Sequence, residues 1–185
     1  MQNLLHRIQF DNDENAFEEF YKENAFKLFQ FAFTFIQSKE LSEEIINDVL
    51  LKLWQKRGHL DKIQNINVYL YVAVKNTAIN YMQQSSAKKN IDLEKITTDH
   101  FYMSPDPEQV MMTDELRKLI EKSVNQLPPR CKLIFKMVKQ DGLAYAEVAS
   151  ILDISYKTVT TQLVIALKKL KELLKPSLRA YHVKV

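Results

Sequence analysis

Residues 143 to 163, LAYAEVASILDISYKTVTTQL, place hydroxyl and ammonium groups at helical spacing just beyond a turn. Val148, Ala149 and Leu152 form the inner side of a helix about two turns long. Asp153 is of a residue type that tolerates the left-handed conformation a sharp turn needs, and Ser155 can cap the helix that follows. At about 100° per residue, Val159, Leu163, Ala166, Leu167, Leu170 and Leu174 fall on one side of that second helix, with Lys157, Thr160, Thr161, Val164, Lys168 and Lys171 on another. This is helix-turn-helix spacing, and such a second helix lies in the DNA major groove. Threonine hydroxyls can bond bases, threonine and valine methyls can meet the thymine methyl, and lysines can neutralise phosphates or reach guanine. An ordinary αα-hairpin with a solvated outer face has the same spacing, so the surroundings must decide.

Charge is unevenly distributed. Residues 1 to 90 carry 11 basic and 11 acidic side chains, residues 91 to 113 carry 1 and 5, and residues 114 to 185 carry 14 and 7. The net charge of +3 therefore hides a basic C-terminal segment, as a polyanion-binding module requires.

Two other stretches carry chemistry. On a helix expected from Ser42 to Arg57, the inner side is Ile46, Val49, Leu50 and Leu53, and Glu44, Asn47, Asp48, Leu51 and Gln55 cluster opposite. Leu51 among acids and amides suits a protein partner with a basic surface, and Trp54 lies at the edge of both faces. On a third helix, expected from after Asn67 to about Gln84, Leu70, Ala73, Val74, Thr77 and Tyr81 are expected to pack. Tyr69, Tyr71, Lys75, Asn76 and Asn80 then surround the rest, with Lys88 and Lys89 following. Rings, amides and cations together can hold unstacked bases, and core tyrosines with polar neighbours fit the same window.

Catalysis and cofactors find no support. His6, His59, His100 and His182 are scattered without metal-ligand spacing, and no Ser-His-Asp, HExxH or P-loop pattern occurs. Neither a metal site nor a cofactor is expected. Cys131 cannot form an internal disulfide and is expected as a small buried group in a reducing compartment. No apolar run reaches the roughly 20 residues that span a bilayer, and the N-terminal residues lack a signal-peptide core, so a soluble cytoplasmic protein without membrane insertion is expected.

The elements that must position these residues are helices. Glycine occurs only at Gly58 and Gly142, and helix formers recur throughout. Phe17, Phe20, Tyr21, Phe26, Phe29, Phe33 and Ile36, broadened by Phe31 and Phe35, predict a core-facing aromatic stripe. Ser104-Pro105-Asp106-Pro107 breaks the periodicity. Beyond it lie an apolar stripe at Leu116, Leu119, Ile120, Val124 and Leu127, a break at Pro128-Pro129 that opens the next helix, and a stop at Gly142. The fold expected is all-α, with two small helical domains, 1–90 and 114–185, joined by an acidic linker, 91–113.

Taken in order, the segments resemble the extracytoplasmic-function group of the sigma-70 family. SEEIINDVLLKLWQKR resembles that family's region 2.2, NVYLYVAVKNTAINYM its regions 2.3 and 2.4, and LPPRCKLIFKMVKQDGLAYAEVASILDISYKTVTTQLVIALKKLKELL its region 4. The resemblance implies a non-catalytic promoter-specificity subunit. It assigns Glu44, Asn47, Asp48, Leu51 and Trp54 to the clamp helices of the RNA polymerase largest subunit. Tyr71, Lys75, Asn76, Asn80, Lys88 and Lys89, with the loop Ile63 to Asn67, go to the −10 element and an extruded base. Ser155, Tyr156, Lys157, Thr158, Thr160, Thr161, Val164 and Lys168 go to the −35 element. It further implies an anti-sigma partner and a monomer when free. The chain departs from the family pattern in reading LDIS where LGIS is frequent, and in placing Ala144 where a capping serine is frequent. Gln162, Val164 and Ile165 stand where Arg or His is common. Two rivals compete: a dimeric helix-turn-helix regulator, which leaves the first 90 residues without a role, and a helical adaptor that does not touch DNA.

Overall fold

The structure, a computed structural model, describes residues 2–85 and 114–180. The expected linker 91–113, and Lys88 and Lys89, lie outside the described residues. The chain falls into two compact units, Met1–Asp92 and Leu93–Val185, and the described residues contain helices and no strand.

The first unit holds α1 (Gln2–Phe10), α2 (Glu14–Ile36), α3 (Lys39–Gln55), a short 3-10 helix (Arg57–Lys62) and α4 (Ile66–Ser85). Asp13 caps α2 by accepting from the Asn15 and Ala16 amides, and it also accepts from the Arg7 guanidinium at 2.6 Å. The Ala16 amide first, and then Arg7, hold its carboxyl below the usual range. Helix α3 begins one turn before the predicted start. Ser38 is its cap, its Oγ accepting from the Leu41 amide at 3.3 Å, and the buried Ser42 donates to the Ser38 carbonyl. Both serines precede acids, so two caps competed, and the earlier one adds a turn of helix. Asn65 caps α4, its Oδ1 accepting from the Val68 amide at 3.1 Å, and α4 therefore starts earlier than expected too.

Helix α2 packs against α1, α3 and α4. Its buried row is Ala16, Phe20, Asn24, Leu28, Phe31, Ala32 and Phe35. Phe31 and Phe35 are therefore central, whereas Phe26, expected in the stripe, is 42% exposed. A helix this aromatic offers several apolar stripes, and its three helical neighbours select one. On α4 the buried residues are Ile66, Leu70, Tyr71, Val74 and Ala78: Leu70 and Val74 pack as expected, whereas Ala73, Thr77 and Tyr81 are only half-buried. Each large side chain so buried contributes about 1.5–3 kcal/mol.

The second unit holds α5 (Asp114–Asn125), α6 (Pro129–Lys139), α7 (Tyr145–Leu152) and α8 (Tyr156–Ala180). Pro129 occupies the first turn of α6, where its missing N–H costs nothing. Helix α8 packs on α5, α6 and α7, and Val124, Leu127, Cys131, Ala166 and Leu170 form a buried cluster. Cys131 is buried, its Sγ 2.9 Å from Gln162 Oε1, to which it donates. Burial pushes its thiol pKa up. Leu167, expected on the packed side, is 49% exposed. Two charged residues are buried instead: Lys132 and Lys136, one turn apart on α6, are 1% and 2% exposed. Lys132 Nζ donates to the Asn125 carbonyl at 3.4 Å. Desolvation, followed by the charge of Lys132, pushes the Lys136 pKa down to about 7, against the opposing pull of Asp141 and Glu121.

Candidate nucleic-acid interface and docking ridge

The turn between α7 and α8 is built as its residues demand. Asp153 adopts φ 56° and ψ 49° at the end of α7, in the left-handed region that aspartate tolerates. Ser155 then caps α8, its Oγ accepting from the Thr158 amide at 3.0 Å and lying 2.8 Å from the Thr158 hydroxyl. Val148, Ile151, Leu152, Val159 and Leu163 bury the inner sides of both helices. The start of α7 is less complete. The Ala144 amide donates to Glu147 Oε2 at 2.7 Å, but alanine has no side-chain acceptor for the return bond.

With the inner side thus anchored, the outer row is presented. Ser155, Tyr156, Lys157, Thr161, Val164 and Lys168 are exposed, and Thr158 and Thr160 are half-buried. Thr160 and Thr161 donate their hydroxyls to the carbonyls of Tyr156 and Lys157 at 3.0 and 2.9 Å. That fixes their rotamers and leaves each oxygen as an acceptor toward the outside. Thr158 is occupied with the cap, and the Tyr156 ring lies 6.0 Å from that of Tyr145. Ile165 and Leu167 flank the polar row on either side, both exposed.

On the first unit the exposed row of α3 is Glu44, Asn47 and Leu51, with Asp48 half-buried beside them and Leu51 53% exposed. Leu51 projects among polar groups as expected. Trp54 is half-buried, its ring 4.9 Å from that of Phe17 and under the Arg57 guanidinium at 4.3 Å, so it braces the end of α3. Two phenols bond to this row. Tyr21 on α2 donates to Asn47 Oδ1 at 2.9 Å, and Tyr81 on α4 donates to Glu44 Oε1 at 2.8 Å.

On α4, Asn76 and Asn80 are exposed, and Lys75 and Tyr69 are half-buried. Tyr71 is not available to a base. It is 1% exposed, with its ring edge-on to Phe31 at 4.8 Å. The stretch from Val68 to Val74 is apolar almost all round, so its periodicity could not choose a face, and packing against the α2 aromatics turned Tyr71 inward. Before α4, Gln64 and Asn65 are exposed and Ile63 is half-buried, and Ile66, the first residue of α4, is buried. Asn67 Oδ1 lies 3.5 Å from Lys27 Nζ.

Residues 20–87 match the model of sigma-70 region 2, and residues 117–170 match that of sigma-70, region 4. Among curated proteins, the chain is similar to the ECF RNA polymerase sigma-E factor of Escherichia coli (strain K12), with 23% identity over 183 residues covering 95% of each chain. It is similar as well to the RNA polymerase sigma-H factor of Pseudomonas aeruginosa, with 22% identity covering 96% of this chain and 95% of that one. Among solved structures, it is similar in fold to CnrH in complex with the cytosolic domain of CnrY, at a TM-score of 0.51 and 16% identity, over 94% of this chain and 96% of that one.

Proposed function

Since the chain belongs to the sigma-70 family, in its extracytoplasmic-function group, and is a non-catalytic RNA polymerase sigma factor for transcription initiation, we propose a division of labour between its two helical units. The first, residues 1–90, docks on the clamp helices of the polymerase largest subunit and engages the −10 element. The second, residues 114–185, reads the −35 element, with the segment 91–113 joining them. The observation that carries this reading is the outer row of α8: Lys157, Thr161, Val164 and Lys168 are exposed directly after a capped, left-handed turn while the opposite side is sealed in a core.

At the −35 element the row supplies cations for phosphates, hydroxyl oxygens for base edges and a valine methyl for thymine. At the −10 element, extruding a base costs a few kcal/mol, which its contacts must offset. Asn76 and Asn80 supply hydrogen bonds and Lys75 a charge, with the half-buried Tyr69 supplying a ring in place of Tyr71. Docking uses Glu44, Asn47, Asp48 and Leu51, with Trp54 in a bracing role.

An anti-sigma protein is the further partner, and Ile165 and Leu167 offer it apolar contacts at the edges of the DNA-facing row. The free protein is a cytoplasmic monomer. Among the described residues no helix is long and apolar enough to cross a membrane.

Reconstituted transcription with core polymerase and a promoter library tests this reading. Two separated sequence blocks should be enriched, and Lys157→Ala with Thr160→Ala should weaken enrichment of the upstream block alone. Unchanged selection by that variant would reject the role of α8. A dimeric regulator would instead elute as a dimer and bind palindromes without polymerase, and an adaptor would show no fall of log K with log salt, against about −0.9 per phosphate contacted for a DNA-binding α8.

A further inference from the structure

We propose that Tyr21 and Tyr81 are positioning residues that set the pattern of donors and acceptors which α3 offers to polymerase. The inference rests on the docking role proposed for that helix. Helices α2 and α4 both pack against α3, and each contributes one phenol to its exposed row. Tyr21 reaches Asn47 Oδ1 at 2.9 Å and Tyr81 reaches Glu44 Oε1 at 2.8 Å. Both rings are half-buried, so their hydroxyls are held by packing, whereas the exposed glutamate and amide they bond would otherwise sample several rotamers.

The consequence is chemical. With its oxygen held by Tyr21, the Asn47 amide turns its NH2 outward as a donor. With Oε1 held by Tyr81, the Glu44 carboxylate offers Oε2 as an acceptor in a fixed place. The hydrogen bond to Glu44, followed by desolvation and the charges of Glu44 and Asp48, raises the Tyr81 pKa, so the phenol keeps the proton it donates. Read along α3, the surface is an anion at Glu44, a donor at Asn47, an anion at Asp48 and an apolar side chain at Leu51. The complementary polymerase surface presents basic side chains to Glu44 and Asp48, a carbonyl or carboxylate oxygen to Asn47, and an apolar neighbour to Leu51. A row ordered before docking loses less side-chain freedom when it binds.

The experiment is a pair of double-mutant cycles on the full chain, read as Kd for core polymerase. Tyr81→Phe and Tyr21→Phe keep the rings and remove only the hydroxyls. Each is expected to weaken binding about three- to tenfold, the range that ordering one rotamer-rich side chain covers. On a Glu44→Ala background Tyr81→Phe should have no further effect, and on an Asn47→Ala background the same should hold for Tyr21→Phe. Equal losses with and without the α3 partner would show that the tyrosines act through packing, and the proposal would be overturned. It would also be overturned if both phenylalanine variants bound as the parent does while Glu44→Ala and Asn47→Ala were weakened. If Glu44→Ala, Asn47→Ala and Asp48→Arg all bound normally, the docking role of α3 itself would fall, and the proposal with it. Thermal unfolding and duplex −35 binding of each variant, expected unchanged, separate local disorder from a lost hydroxyl.

Discussion

On α3 the polar groups of the exposed row are tied to other helices, Glu44 to Tyr81 and Asn47 to Tyr21, whereas on α8 the hydroxyls of Thr160 and Thr161 bond back to carbonyls one turn earlier in their own helix. The interiors differ as well. In the first unit the buried polar side chains Asn24, Thr34 and Ser42 all donate to carbonyls within one turn, and aromatic and aliphatic side chains fill the rest. In the second, two lysines are buried on one helix. A row ordered within one helix needs only that the helix form and be docked. A row ordered by its neighbours also reports on their packing. The first unit therefore holds the chemistry proposed for docking in its tertiary structure, and the second holds the chemistry proposed for reading DNA in its secondary structure while burying two lysines.

Asp48→Arg should break the comparison most strongly. A reversed charge in the row proposed for docking is expected to cost about 3 kcal/mol, roughly a hundredfold in Kd for polymerase, with duplex −35 binding unchanged. Equilibrium binding to core enzyme and to a −35 duplex checks both halves.

The next effect is on stability. The folded pKa of Lys136, about 7, lies below its unfolded value, so between them the unfolded chain binds more protons and stability rises with pH. From pH 7 to pH 9 the second unit should gain on the order of 2 kcal/mol. Lys136→Met should stabilise it and flatten that slope. Urea unfolding followed by circular dichroism reads the whole chain, and the fluorescence of Trp54, the sole tryptophan, reads the first unit, where no such slope is expected.

Lys157→Ala with Thr160→Ala should weaken −35 binding about tenfold and lower the salt slope by about one, with polymerase affinity unchanged. Filter binding across a salt series measures both quantities. A loss of polymerase affinity in this variant would show that the two rows are not independent.

The smallest effect is at the start of α7. Ala144→Ser supplies the side-chain acceptor that the capping box lacks and should stabilise the second unit by about 0.5–1 kcal/mol, seen as a raised urea midpoint. No gain would mean that Glu147 alone already satisfies this helix start.

Much of the outer row of α8 is legible in the sequence because its determinants are local. Asp153 at the turn, Ser155 as cap and the spacing of Val159 and Leu163 act within a few residues of one another. The exposure of Leu51 on α3 follows from the same reasoning. Tyr71 was misread because a helix apolar on every side has no preferred face until neighbours press on it, and Leu167 because a residue at the edge of a stripe can fall either way. Ser38 displaced Ser42 as a cap where two equivalent local signals overlapped. The phenols of Tyr21 and Tyr81 left no trace in spacing, since each meets a group 26 or 37 residues away.

The chain's own order of residues was enough to determine that it is helical, that a capped helix-turn-helix lies in its basic C-terminal segment, and which side of α8 faces out. These depend on dihedral preference, capping and period, which act over one or two turns. Only the tertiary structure decided which aromatics of α2 are core, that Tyr71 is buried, that Lys132 and Lys136 lie inside, and that Asn47 and Glu44 are held by phenols. Those outcomes depend on which helices meet, and close packing among several apolar faces is settled by shape complementarity between distant segments, which no local pattern encodes.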